Sequence, residues 1–307
     1  MTRFLLLCLL QAIMGVIHAQ EFDTHWISAP IPDSTSHLWF RQTYLSRQRP
    51  EVARITVATT GCFKLYVNEC IVGTALHYPA RHDDTGAATV TTFDVTAYLR
   101  PDTNVIAILY APSFPHIDTR QLSVTYRGTY RDGRPFSHAT DGNWLCKTAG
   151  SRSKADGGET IDGRKHDTSW RSTQFDAALW LNAREQPAPA ATAPTVRPDG
   201  LMALQTVRRR PPVHIETAGD SVYYDFGTAF IGQVRLTLRN ARRGQRIRID
   251  NTDYICNGEL DEQAYPAFAV ESHRRVLVCG DRRFARDQIF DIEAIETATT
   301  WLSFDGF

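Results

Sequence analysis

The stretch from Gly61 to Tyr110 commits this chain to β-sheet. Cys62–Val67 sets Phe63, Leu65 and Val67 against Lys64 and Tyr66. The polar corner Asn68-Glu69 follows, then Cys70–Val72. Thr89–Val95 sets Val90, Thr92 and Asp94 against Thr91, Phe93 and Val95. Alternation with period two marks a strand with one buried face. Asn104–Tyr110 is an almost continuous apolar run, the pattern of a strand covered on both faces. Asp94 is placed to cap a short turn that Pro101 stops.

The pattern repeats downstream. Gln121–Arg127 and Arg134–Ser137 alternate around the hairpin signal Arg131-Asp132-Gly133. Asp141 to Cys146 reads as a turn followed by a strand, and Gln174–Asn182 as one short helix. From Arg184 to Pro198 the sequence REQPAPAATAPTVRP has no apolar period and reads as an extended linker. Beyond it, Val234, Leu236 and Leu238 alternate with Arg235, Thr237 and Arg239, and Ile247 and Ile249 with Arg246 and Arg248. These predict half-buried antiparallel strands. Arg274–Cys279 and Gln288–Ile295 are two more strand-like runs.

Charge narrows the partners. Lys and Arg number 34 and Asp and Glu 34, with an isoelectric point near 7.1. Nucleic acid needs a basic surplus and is excluded as a main partner. Arg3 followed by the apolar run Phe4 to Ile17 and by Ala19 predicts a secretory signal over residues 1–19 and an exported, secreted or periplasmic protein. The run is too short to span a bilayer comfortably, and no other stretch suits a membrane. Past it lie Cys62, Cys70, Cys146, Cys256 and Cys279, an odd count at irregular spacing. That is neither a disulfide framework nor a zinc pattern. Cys62 and Cys70 could pair across a hairpin; otherwise the cysteines read as small buried strand residues.

The order Gly61-x-x-x-Leu65-Tyr66-Val67-Asn68, then Val72-Gly73, then Phe93-Asp94-Val95-Thr96-x-Tyr98-Leu99, then Asn104-Val105-Ile106-Ala107 resembles the N-terminal β-sandwich of bacterial α-L-rhamnosidases. Where that family usually has Gly after the Asn, this chain has Glu69. Gly158-Glu159-x-x-Asp162-x-Arg164 with Trp170 resembles the segment that closes the family's first sandwich. Asp225-Phe226-Gly227, Gly232-x-Val234-x-Leu236 and Gly244-x-x-Ile247 resemble its second. The resemblance implies an all-β fold of two jelly-roll-like sandwiches, residues 20–183 and 201–307, joined by a Pro/Ala-rich linker at 184–200. It covers only the non-catalytic front half of the family. In those enzymes an α/α barrel carries the catalytic carboxylates, and the family's acidic Arg-Asp-Glu-Arg type run has no counterpart here. No catalytic residue is therefore assigned.

Sugar binding is the expected role, with rhamnose-containing glycans as ligand. Trp39, Tyr66 and Tyr78 are candidates for an aromatic platform, helped by Arg81 and Asp83, because a pyranose C–H face suits an aromatic plane. Trp26 and Trp39 suit a sugar ring by the same argument, although tryptophans at such strand positions more often belong to the core. Arg81-His82-Asp83-Asp84 could hold calcium, and no other cofactor is expected. Glu259, Asp261 and Glu262 read as solvated loop carboxylates, although hydrolysis of a glycoside would need a facing pair. Ser151-x-x-Lys154 lacks the helix and companion motifs of acyl-transfer enzymes. Three readings follow: a carbohydrate-binding accessory region, a truncated rhamnosidase without activity, or a subunit whose catalytic barrel lies on a separate chain.

Overall fold

The computed structural model describes residues 25–80, 88–113, 120–189 and 201–302. The expected signal sequence, the candidate residues Arg81 and Asp83, and the candidate calcium ligands Arg81-His82-Asp83-Asp84 lie outside these. Strands dominate, and the helical elements among the described residues are single 3-10 turns. The chain is therefore all-β, as the alternation predicts.

One sheet has the order Arg184–Gln186, Trp26–Ser28, Leu122–Thr129, Val52–Thr59, Thr89–Asp94, with Pro135–Ala139 also pairing with Leu122–Thr129. It faces part of a second sheet, in which Leu145–Ser153, Ser36–Leu45, Thr103–Ala111, Cys62–Val67 and Cys70–Ile71 are neighbours. Ile27, Ile55, Val57, Leu122 and Val124 of the first sheet meet Leu38, Phe40, Phe63, Leu65, Ile106 and Ile108 of the second in one buried cluster. This is the sandwich core. Each fully buried aliphatic side chain there contributes about 1.5–3 kcal/mol relative to exposure.

The second sheet does not stop at the sandwich. Glu159–Asp162 pairs with Leu145–Ser153 on one side and, in parallel, with Thr252–Ile255 on the other. From there the sheet continues through Arg246–Ile249, Glu271–Gly280, Ser221–Leu238 and Ile289–Leu302 to Leu201–Arg210. Val234, Leu236, Leu238, Ile247, Ile249, Val276 and Val278 form a second buried cluster on this side. The alternation read from Val234 to Leu238 and from Ile247 to Ile249 is the alternation observed. Ser221–Leu238 is a single 18-residue strand whose register with Glu271–Gly280 shifts between Asp225 and Phe230. Gly227 lies at that shift with φ 79°, a conformation that costs glycine least.

Three local expectations fail. Gln174–Asn182 is not a helix: it runs as turns into a strand at Leu181–Asn182, which pairs with Leu145 and Cys146. The first linker residues, Arg184–Gln186, pair with Trp26–Ser28 and so extend the first sheet. Cys62 and Cys70 form no disulfide and lie at opposite ends of their hairpin: Cys70 lies opposite Val67, and Cys62 opposite Ala111.

The corner at Asn68-Glu69 keeps its tight turn without glycine. Asn68 and Glu69 have φ 49° and 75°, both left-handed, as a two-residue hairpin of the primed type requires. Asn68 is anchored by its side chain, which donates to Tyr98 O at 2.9 Å and Asn104 Oδ1 at 2.8 Å and accepts from Val105 N at 2.9 Å. Glu69 has only an exposed contact to Arg100 at 3.5 Å, of the kind worth about 0–1 kcal/mol. The left-handed cost for a residue with Cβ is about 1–2 kcal/mol. Glu69→Gly is therefore expected to raise the unfolding free energy by up to about 1 kcal/mol; a lower melting temperature in thermal denaturation would show that the turn strain is not what limits this corner.

Candidate functional site

The expected platform is divided by the sheet. Trp39 lies on the outer face of the strand Ser36–Leu45, stacked against Trp170 at 5.3 Å and Trp180 at 5.8 Å. Tyr66 shares that face and carries the Arg171 guanidinium 4.5 Å above its ring. Tyr78 sits in the sandwich interior, 5.8 Å from Phe63 and 4.9 Å from Phe93. The structure brings Trp39 and Tyr66 together and separates Tyr78 from both. Trp26 is buried.

The segment 169–180 covers the Trp39–Tyr66 half of this face. Arg41 fastens it, donating to Ser172 O at 2.9 Å and Phe175 O at 3.4 Å. Burial lowers the pKa of this guanidinium, whose hydrogen bonds run to backbone carbonyls.

The other half of the same face is covered from the far side of the structure. Phe268 packs against Cys62 and Ala111. Its ring meets His37 edge-on at 5.1 Å, His77 at 5.8 Å and the Lys64 ammonium at 5.5 Å. The buried carboxylate of Glu159 holds this segment by accepting three backbone amides: Ala267 at 2.8 Å, Phe268 at 2.6 Å and Ala269 at 2.5 Å. His37 is fully buried between Ser151 Oγ at 2.8 Å and Ser153 Oγ at 3.2 Å. Burial pushes its pKa below the usual value, and Lys64 adds to this while the Glu159 charge opposes it. Burial likewise brings Lys64 down to about 8, against the pull of Glu159. Ser151 and Ser153 are thus strand residues facing a histidine. Lys154 reaches Asp253 at 3.1 Å, so the Ser-x-x-Lys spelling has no nucleophile geometry.

The flanking glycines explain the signature around Glu159. A Cβ on Gly158 would lie 2.2 Å from Asn251 O, and one on Gly163 would lie 2.5 Å from the Tyr254 hydroxyl. Both positions admit only glycine if Glu159–Asp162 is to lie beside Thr252–Ile255.

Glu262 corrects the reading of a solvated acidic loop. It is buried and accepts the Tyr254 hydroxyl at 2.9 Å, Asn257 N at 2.5 Å and Gly258 N at 3.0 Å. Asp261 pairs with Arg239 at 2.7 Å on the surface. Among the described residues no group of three His, Cys, Asp or Glu is arranged to hold a metal ion.

An open cavity of about 470 Å³ lies at one end of the sandwich, lined by Gln48, Arg49, Pro50, Glu51, Thr96 and Arg131. Sequence reading gave these residues no role; only the hairpin signal at Arg131-Asp132-Gly133 marked the place. Beside it runs a row of rings: Tyr130 to Phe136 at 5.0 Å, Phe136 to His138 at 5.8 Å, and His138 to Tyr44 at 4.9 Å.

The arrangement defines an all-β sandwich protein whose buried ionic groups hold segments onto one sheet. Comparison with known proteins gives it a family. Residues 48–200 match the family described as Alpha-L-rhamnosidase N-terminal domain. The chain is similar to an α-L-rhamnosidase of Streptomyces avermitilis, 25% identical over 82% of this chain and 27% of that protein, and to one of Formosa agariphila, 22% identical over 85% of this chain and 32% of that protein. The solved α-L-rhamnosidase from Dictyoglumus thermophilum superposes with a TM-score of 0.81 at 20% identity, over 92% of this chain and 36% of that one. The chain carries the N-terminal β-sandwich region of the α-L-rhamnosidases, and it spans about a third of the length of the relatives it matches.

Two outcomes are expected at the Glu159 junction. Glu159→Ala removes the acceptor of three amides, each costing about 1–3 kcal/mol if left buried and unpaired. The amides of Ala267, Phe268 and Ala269 should then lose protection in hydrogen exchange, together with a marked fall in melting temperature; unchanged protection would overturn the assignment. The second concerns pH. A His37 held neutral has a folded pKa below its unfolded value of 6.5. The stability it contributes is therefore complete above about pH 6.5 and is lost as pH falls below that, because the unfolded chain takes up the proton first. The difference in melting temperature between the native chain and His37→Gln should shrink on acidification from about pH 7 to about pH 5; a difference independent of pH would show that His37 is not the titrating group.

Proposed function

We propose that this chain is an exported, non-catalytic accessory region of a rhamnosidase-type protein, and that it binds rhamnose-containing carbohydrate. The observation that carries the non-catalytic reading is the fate of the buried carboxylates. Among the described residues these are Glu159 and Glu262, and both are consumed by backbone amides within the scaffold. Glycoside hydrolysis needs two carboxyl groups facing each other across a sugar, one of them protonated. A buried carboxylate whose oxygens are occupied by backbone amides is not free to face a sugar. The family match and the sandwich fold support carbohydrate as the ligand. Arg3 and the apolar run from Phe4 to Ile17 support export.

Two measurements on the full chain test this reading. It should be retained in affinity electrophoresis through a rhamnose-containing polysaccharide, and it should release no rhamnose from an aryl rhamnoside. With a rhamno-oligosaccharide at about a hundred times its Kd, mass action would stabilise the fold by about 2.7 kcal/mol. Turnover of the rhamnoside would overturn the non-catalytic reading, and migration unaffected by polysaccharide together with an unshifted melt would overturn the binding reading.

A further inference from the structure

We propose that the corner formed by Gln48–Glu51, Thr96 and Arg131 is a subsite for an acidic sugar unit, a pyranose bearing a carboxylate, within the polysaccharide bound by this region; the assignment rests on the carbohydrate-binding reading above. The cavity, about 470 Å³ and open to solvent, has the size of small-molecule sites, roughly 300–1,000 Å³. Three connections from different parts of the chain converge on it. Backbone hydrogen bonds fix them: Ser46 N to Asp102 O at 2.6 Å, Glu51 N to Thr129 O at 2.9 Å, and Gly133 N to Tyr130 O at 2.8 Å. Ser46 Oγ meets the Tyr130 hydroxyl at 3.2 Å and closes the corner on the side of the ring row.

The lining is locally basic. It carries two arginines, Arg49 and Arg131, and one carboxylate, Glu51, in a chain with no net charge. Arg49 donates to Thr96 O at 3.1 Å, which aims its guanidinium along the cavity wall. Asp132, the nearest acidic residue in sequence to Arg131, is taken up by Arg134, whose Nε lies 2.7 Å from its carboxylate and whose backbone N donates to it at 3.1 Å. Arg131 is left without an acidic partner among the described residues. A planar fork of N–H donors suits a carboxylate better than it suits a hydroxyl. Gln48 and Glu51 supply polar groups for ring hydroxyls, while the Thr96 hydroxyl is held by the Ala53 backbone and fixes the wall. The exposed His138 ring and the half-buried rings of Tyr130 and Phe136 offer neighbouring sugar units a surface for their C–H faces.

The test uses the full chain and three probes: an oligogalacturonate, its methyl ester, and a neutral rhamno-oligosaccharide. Binding is followed by titration calorimetry and by amide chemical shifts. The oligogalacturonate should shift the amides of Arg49, Glu51, Thr96 and Arg131. Its affinity should fall with added salt and fall further on methyl esterification. Arg131→Gln should weaken it about fivefold, the scale of an exposed ion pair, without moving the melting temperature, and Glu51→Gln should strengthen it. Equal affinity for acid and ester, or shifts confined to other residues, would overturn the subsite. Binding of the rhamno-oligosaccharide alone would overturn the subsite and leave the carbohydrate-binding reading standing. Binding of none of the three would remove both.

Discussion

A carboxylate buried to 1% exposure holds the two halves of this structure together. Moving a carboxylate out of water is expensive, several kcal/mol even after relaxation. The three amides that Glu159 accepts replace its hydration, and charge-assisted bonds of this kind are the strong ones. The cost is therefore offset only while all three amides are in place. Glu159 stands at the start of the strand that pairs with Leu145–Ser153 on one side and Thr252–Ile255 on the other. The amides it holds belong to the segment that lays Phe268 over the sheet. One side chain thus fixes the sheet's continuity and the cover on its outer face, so the two are lost together if it is removed.

The cover explains why this sheet carries apolar residues on both sides. Thr103–Ala111 puts Ile106, Ile108 and Tyr110 into the sandwich and Val105, Ala107 and Leu109 outward. The outward set is met by Trp170 and Trp180 at one end and by Phe268 at the other. The opposing sheet turns Thr56, Thr92 and Thr125 outward in register, and Thr56 and Thr92 bond at 2.9 Å. Arg41 shows what holding the covering segment requires. Its guanidinium is buried, held by two carbonyls of that segment, and lies 5.4 Å from the Phe175 ring centroid. Two carbonyl bonds repay an unpaired cation poorly on their own. The stacking of Trp39 with Trp170 and Trp180 of the covering segment adds to the hold on it.

Strand positions were largely legible in the sequence because period-two burial is a local property: Cys62–Val67, Thr89–Asp94 and Arg246–Ile249 fall where the alternation puts them. What the strands face is not local. Lys64 alternates as a solvent residue yet lies under Phe268, brought there from two hundred positions along the chain. Tyr66 and Tyr78 read alike, but they occupy opposite sides of one sheet. Glu262 reads as loop charge because its partners are backbone amides and one tyrosine, which leave no acidic or basic pattern. The helix expected at Gln174–Asn182 fails for a related reason. Phe175 and Trp180 are pinned to the sheet by aromatic packing, and tertiary contacts of that size override a weak propensity. The pair Gly158 and Gly163 was the one local signal of the junction, since both mark places where another backbone comes too close for Cβ.

Zero net charge has a specific meaning in such a scaffold. Four arginines of the second half have carboxylate partners: Arg235 with Glu293, Arg239 with Asp261, Arg275 with Glu216 and Arg283 with Asp281. Exposed pairs of this kind add little stability, but they cancel the field they would otherwise project. A long-range potential is thereby suppressed, and whatever charge recognition remains must act within a Debye length of about 8 Å. The corner around Arg49 and Arg131 is such a short-range feature, set on turns that backbone hydrogen bonds already hold. A site of this kind does not steer a ligand from a distance. As the proposed acidic-sugar subsite, it would discriminate among units of a polymer already in contact, a division of labour that suits a rigid sandwich whose buried charges hold the sandwich itself together.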